Sequence, residues 1–235
     1  MSLSSFSSMG YYVGGSSVPA PPTTLDTFYS QSYFSFNAEN YNAGTKTFTD
    51  LSPNGRNKTF STGSPTIVSH TTVVNSFTTS KTYNVVSGTK TDKCVLFPSL
   101  FGPYTFIAVS RRTDGNGSGS LFNDPNTSWI AGYWSNWSGV AQHTSSFIAG
   151  ATSDRYGTNM WLMTDYNTGF RRNGALLGTS NNLSIPINSG INCYSSGGQN
   201  FNIAEILCFN STLSTANMAS IETLLATKYG INLNS

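Results

Sequence analysis

Short runs of β-branched and aromatic residues, broken by turn chemistry, dominate this chain and leave helices little room. The clearest is Thr105-Phe106-Ile107-Ala108-Val109, preceded by Gly102-Pro103 and followed by Asp114-Gly115-Asn116-Gly117. A run of this kind, closed on both sides by Gly, Pro or Asn, reads as a buried strand. Similar runs recur at residues 33–36, 66–74, 82–86, 94–97, 129–134, 146–149, 160–164 and 201–209. Within Phe170-Arg171-Arg172-Asn173-Gly174-Ala175-Leu176-Leu177, the Asn-Gly pair is the strongest short-range signal for a hairpin. Many short strands at this spacing predict an all-β fold, two antiparallel sheets packed as a sandwich or jelly roll. At 235 residues the chain is long enough for one such domain.

One helix is predicted, near the C-terminal end. Ser214 caps its start, Ile221, Leu224, Leu225 and Tyr229 follow helical spacing, and Gly230 supplies a left-handed stop. Glu222 is read as lying early and Lys228 late, as the helix dipole prefers. At the other end, residues 1–24 are rich in Ser and Gly and close with Val18-Pro19-Ala20-Pro21-Pro22. They read as a flexible arm with a stiff polyproline segment, ahead of a sandwich domain at 25–235. Two roles for the arm stay open: a tail without fixed structure, or a strap that docks on a neighbouring subunit through Phe6, Met9, Tyr11 and Tyr12. The arm has neither the basic region nor the apolar stretch of a classical signal peptide, and no apolar run approaches a membrane span.

Charged residues make up only 9% of the chain, against about a quarter in ordinary soluble domains. Ser, Thr, Asn and Gly take their place. A net charge of +2 provides no basic face, which argues against nucleic acid as a partner. The pairs Arg111–Arg112 and Arg171–Arg172 read as solvated strand ends. Cys94, Cys193 and Cys208 are odd in number and far apart, so neither a disulfide framework nor a zinc site is indicated, although one bridge stays open.

Three segments resemble the laminin-G-like domains of the concanavalin A-like lectin and glucanase superfamily, which also holds the pentraxins. Phe36-Asn37-Ala38-Glu39-Asn40-Tyr41, with the stretch from Thr47 through Asp50-Leu51-Ser52-Pro53-Asn54-Gly55-Arg56-Asn57, is similar to the family's opening. Residues 169–178, with their Arg-Asn-Gly tip, resemble its hairpin. Ile203-Ala204-Glu205-Ile206-Leu207-Cys208-Phe209, leading through Leu213-Ser214 to Ile221-Glu222 and Lys228-Tyr229-Gly230-Ile231, resembles its closing strand and helix. The resemblance spans about residues 33 to 233 and implies a two-sheet jelly roll. It implies no particular ligand, because function lies in sites grafted onto folds.

Glucanases on this fold place closely spaced carboxylates along one strand, which retention of configuration requires. No such set exists here: Glu205 is alone in its strand, and Asp124, Asp154 and Asp165 have no acidic partner two or four residues away. His70 and His143 lack a nucleophile signature nearby. The chain therefore reads as non-enzymatic. For calcium, Asp114 and Asn116 in their Gly-rich loop, and Asp50 with Asn54, offer oxygen ligands, but turn residues satisfying their own backbone explain both loops. No cofactor is assigned.

Tyr133-Trp134-Ser135-Asn136-Trp137-Ser138 is the segment best suited to a ligand. Sugar rings stack their C–H faces on aromatic planes while amides and hydroxyls bond their OH groups. Tyr133, Trp134, Asn136 and Trp137 are the candidate glycan contacts. If one strand runs through both tryptophans, they cannot both point inward. Packing of Trp129, Trp134 and Trp161 in the core is the competing account.

Two functions follow as expectations. The first is a structural or surface protein of a large assembly, a virion (minor capsid or attachment protein) or another extracellular surface assembly. Other subunits would then be its partners, through the arm, with glycans as a further contact. The second is a stand-alone lectin-like carbohydrate-binding module.

Overall fold

The structure, a computed structural model, describes residues 22–72, 80–113, 119–126, 128–135, 137–143, 146–149, 160–180, 183–194 and 197–234. Most of the proposed arm, residues 1–21, lies outside them, as do Asp114, Asn116, Asn136 and Asp154.

Among the described residues the strands form three antiparallel sheets. The largest has eight strands. Its main path runs β15 (Ala175–Thr179), β14 (Gly169–Arg172), β13 (Trp161–Tyr166), β8 (Thr105–Arg112), β17 (Phe201–Phe209), β6 (Lys81–Gly88) and β5 (Thr66–Thr72). Strand β1 (Phe34–Asn37) pairs with the second half of β17, where β6 has ended. A six-stranded sheet runs β12 (Ser146–Ala149), β11 (Trp137–His143), β10 (Ile130–Trp134), β9 (Phe122–Asn123), β16 (Ser189–Ile191) and β7 (Cys94–Phe97). A small third sheet joins β2 (Tyr41–Asn42), β3 (Thr47–Phe48) and β4 (Lys58–Thr59). The expected all-β sandwich with a C-terminal helix is therefore the fold observed.

The core forms two layers. Phe34, Phe36, Phe97, Phe106, Phe122, Trp129, Tyr133 and Met163 are among the side chains of one cluster. Its aromatic rings meet edge-on, as in Phe106–Phe122 at 5.1 Å between centroids, tilted, or stacked, as in Phe34–Phe36 and Phe60–Phe201; ring quadrupoles favour both edge-on and offset-stacked pairs. The other cluster lies on the outer face of the large sheet, where Ile107, Val109, Leu162 and Leu207 meet Ile221, Leu225 and Tyr229 of α2 (Thr215–Tyr229) and Phe28 of α1 (Leu25–Gln31). Both faces of β8 are thus covered, which is why its sequence reads as a continuous apolar run. Helix α1 was not foreseen, because seven residues with no side-chain cap leave little periodic signal.

Helix α2 begins and ends where predicted: Ser214 Oγ accepts from the Asn217 N–H, and Gly230 is left-handed at φ 66°. Lys228 lies in its last turn, but Glu222 is mid-helix, buried, and turned toward the sheet. There it accepts from Thr164 Oγ1 at 2.8 Å and from Arg171 Nε at 2.9 Å. Arg171 is consequently part of a largely buried ion pair and not the solvated strand end expected of it. Arg112 is also buried and donates to the Ser135 carbonyl.

A second carboxylate ties the helix down. The register of β17 on β8 slips between Ile203 and Glu205. Ile203 and Ile206 face one cluster while Ala204 and Leu207 face the other, so the extra residue turns Glu205 toward the helix. Glu205 accepts from Lys228 Nζ at 2.6 Å, from Tyr229 Oη at 2.5 Å and from Tyr29 Oη. Burial, and then the Glu205 charge, push both tyrosines' pKa values up, so their hydroxyls stay protonated donors. Cys94, Cys193 and Cys208 are free thiols.

Candidate functional site

The two tryptophans singled out from the sequence do not lie on one strand. Trp134 ends β10, Trp137 begins β11, and the two pair directly across the hairpin. Ser135, in the turn between them, adopts φ 50°. Residues directly opposite one another share a face, so the register puts both on the same side of the hairpin. Tyr133 points the other way: it is 1% exposed, lies in the core, and donates its hydroxyl to the Ser110 carbonyl at 2.5 Å. That removes Tyr133 from the expected contact set. Asn136 lies outside the described residues, and both Trp134 and Trp137 are half-buried.

Trp134 does line a cleft, of about 310 Å³, on the six-stranded sheet. Its aromatic side chains are Trp129 and Trp134, Phe147 from β12 and Tyr194, which follows β16. Phe147 is 50% exposed, with its ring centroid 6.5 Å from that of Trp134 and the planes tilted by 55°. Ile130 and the polar residues Ser120, Asn123, Asp124, Ser128 and Gln142 complete the lining.

Local hydrogen bonds fix several of these groups. Asn123 Nδ2 donates to the Ser120 carbonyl at 2.5 Å, and its Oδ1 accepts from the Tyr194 N–H at 2.7 Å, which ties the Tyr194 segment to β9. Asp124 accepts from the N–H groups of Asn126 and Trp129 at 2.7 and 2.9 Å and so holds the turn between β9 and β10. A ligand would therefore meet a wall that is already organised, with little ordering cost on binding. Phe147, Tyr194, Gln142, Asn123 and Asp124 were not foreseen as cleft residues. A signal existed only for Phe147, an apolar residue in the short strand at 146–149. The others are brought in by topology.

Behind the cleft lies an interior clasp that also escaped the sequence reading. Asp165 of β13 and His143 of β11 come from different sheets, and both side chains are fully buried. His143 Nε2 lies 2.7 Å from Asp165 Oδ1. Asp165 Oδ2 accepts from Tyr104 Oη at 2.9 Å and from Trp129 Nε1 at 3.0 Å. Burial alone would lower the His143 pKa, but the charge and hydrogen bond of Asp165 outweigh it, and the ring's pKa rises above 6.5. His143 Nδ1 is 2.9 Å from Ser180 Oγ, which completes a Ser–His–Asp chain. With the His and Asp sealed from solvent, the chain of bonds joins the two sheets through the core. Trp129 takes part in both clasp and cleft.

The loop residues considered for calcium separate into two cases. Asp114 and Asn116 lie outside the described residues. Asp50 accepts from the N–H groups of Ser35, Ser52 and Arg56, and from Ser52 Oγ. Asn54 Nδ2 donates to the carbonyls of Ser32 and Tyr33. These side chains organise their own loop, in keeping with the turn reading. Among the described residues no three His, Cys, Asp or Glu side chains gather as a metal-binding group.

No family model matches the sequence, and no curated protein matches it. Among solved structures, the binding domain of Paraclostridial Mosquitocidal Protein 1 is similar, with a TM-score of 0.52 and 12% identity. That match covers 83% of this chain and 52% of that one. Domain 4 of AbnA, a GH43 extracellular arabinanase from Geobacillus stearothermophilus solved with arabinotriose, matches with a TM-score of 0.50 and 13% identity. Here 82% of this chain and 98% of the other are covered. A mutant of Trypanosoma rangeli sialidase displaying trans-sialidase activity aligns at a TM-score of 0.48 and 10% identity, over 87% of this chain and 34% of that one. The chain thus spans about a third of the sialidase, half of the mosquitocidal-protein chain and nearly all of the arabinanase domain. For the mosquitocidal-protein and arabinanase domains, at these identities, the shared property is the fold, an antiparallel β-sandwich.

Proposed function

We propose that this chain is a non-catalytic, laminin-G-like glycan-binding module whose binding surface is the cleft on its six-stranded sheet. One observation carries the reading: Trp134, Phe147 and Tyr194 wall a cleft whose remaining side chains include Ser120, Asn123, Ser128 and Gln142. Aromatic planes accept the C–H faces of a sugar ring, and amides and hydroxyls exchange hydrogen bonds with its OH groups without a large desolvation cost. About 310 Å³ accommodates one or two sugar rings, at the small end of the range for ligand sites. Sugar binding occurs on this fold in the arabinanase domain solved with arabinotriose. The test is a glycan array followed by titration calorimetry on the protein and on Trp134→Ala and Phe147→Ala. Each substitution is expected to weaken binding about tenfold, about 1.4 kcal/mol. Phe147 is half-exposed, so its truncation leaves the core untouched. Binding unchanged in both variants would place the sugar elsewhere, and a protein that binds no glycan ends the reading.

A second reading makes the chain a surface component of a larger assembly, a virion among them. The observation that favours it is β5, an edge strand of the large sheet whose first four residues, Thr66 to Ser69, are exposed and uncharged. Edges of that kind are templates for pairing with another chain. Light scattering over a hundredfold concentration range tests it. A strict monomer, with or without residues 1–24, would exclude self-assembly.

A further inference from the structure

We infer that the cleft selects uncharged glycans and discriminates against sialylated, uronic and sulfated ones. This rests on the glycan reading above and goes on to specify the class of sugar. Asp124 is the only charged side chain among the described residues that line the cleft, and its charge is negative. Recognition of a carboxylate or sulfate relies on an Arg fork, a lysine or a row of converging N–H groups, and no Lys or Arg is among those lining residues.

Five cations of the described structure are engaged elsewhere. Arg171 is paired with Glu222, Lys228 with Glu205, and Arg56 stacks over Tyr33 at 3.8 Å. Arg172 lies over the Trp161 ring at 4.6 Å, and Arg112, which reaches the turn next to Trp134, donates to the Ser135 carbonyl. Two backbone N–H groups beside the cleft, those of Asn126 and Trp129, are taken by the Asp124 carboxylate. An acidic sugar entering the cleft would meet a buried carboxylate of like charge with reduced screening, whereas a neutral sugar meets amide, hydroxyl and carboxylate acceptors for its OH groups.

The experiment uses matched pairs: neutral oligosaccharides and the sialylated or sulfated forms of the same cores, titrated at low and at physiological ionic strength. Neutral members are expected to bind at least tenfold more tightly than their acidic partners, and the gap is expected to persist at physiological salt because Asp124 is buried. Introducing a cation by Ser128→Lys, at a half-buried lining position, should shrink the gap. Acidic partners that bind as well as neutral ones, and lose affinity in Phe147→Ala, would overturn the class of ligand and leave the cleft standing. Failure of every glycan to bind would overturn both.

Discussion

Replacing Asp165 tests whether the interior clasp holds the two sheets together. Its carboxylate faces three donors, His143 Nε2, Tyr104 Oη and Trp129 Nε1, none of which has access to water at that point. Asp165→Leu leaves all three without their acceptor and His143 without its counter-charge. Removing one partner of a buried ion pair costs about 3–5 kcal/mol. For a chain of this size each kcal/mol lowers Tm by about 2–4 °C, so the expected loss is about 6–20 °C. Asp165→Asn should cost much less. Its Oδ1 can accept from Trp129 and Tyr104, and its amide can donate to a neutral His143 whose Nδ1–H faces Ser180. A loss of about 1–2 kcal/mol is expected, the scale of trading charge-assisted bonds for neutral ones.

The pH profile separates this account from simple loss of packing. The folded pKa of His143 is raised above its ordinary 6.5. The protonated ring therefore stabilises the fold fully below pH 6.5, and that contribution is lost as pH rises through the elevated value. Chemical denaturation from pH 6 to 8, below the range where the buried thiols Cys94, Cys193 and Cys208 add their own loss, should show native stability declining and Asp165→Asn nearly flat. NMR of the His143 ring in both proteins gives the same comparison directly. Equal slopes in the two, or an Asp165→Leu protein melting within a degree or two of the parent, would refute the clasp.

His70 carries the opposite sign. Burial, and then the charge of Arg111, lower its pKa to about 4, so the unfolded chain takes up a proton that the fold refuses. Stability should fall from pH 6.5 toward 4, by up to about 3 kcal/mol, and His70→Phe, which retains the ring packing on Tyr83, should abolish that fall in the same denaturation series. Gly132 lies in β10 at φ 89°, where an added Cβ would fall 1.8 Å from Met163 Sδ. Gly132→Ala should cost about 2–3 kcal/mol through strain and overpacking; made in a Met163→Ala background it should cost less by the steric part alone, and no cost there would show that backbone conformation contributes nothing.

What was legible in the sequence was local. The 173–174 turn was read correctly because Asn173 and Gly174 must both take positive φ, at 47° and 86°, and those residue types tolerate it. Helix α2 was read because cap, spacing and stop lie within one continuous segment. The two-residue strands of the small sheet are too short for a period to register. The cleft and the clasp were illegible for a different reason. Phe147 and Tyr194, or His143 and Asp165, are brought together by strand order, and their separation along the chain carries no trace of it. The tryptophans illustrate the limit: alternation along a single strand gave the wrong geometry, because the chain reverses between Trp134 and Trp137.

The scarcity of charge has a further consequence once its placement is known. Asp92, Asp124, Asp165, Glu205 and Glu222 are all buried, half of the chain's ten acidic residues. Each accepts hydrogen bonds that secure a loop, a helix or the joint between sheets. Among the described residues the charges left outside are therefore mostly basic. Helices α1 and α2 cover part of the large sheet's outer face, whereas the six-stranded sheet carries the cleft on the face turned away from the core, with Trp134 and Phe147 in its wall. The described lining of the cleft carries hydroxyls, amides and the Asp124 carboxylate but no lysine or arginine, so the excess positive charge does not line it. The same carboxylates that secure the fold thereby set the balance of charge left on its surface.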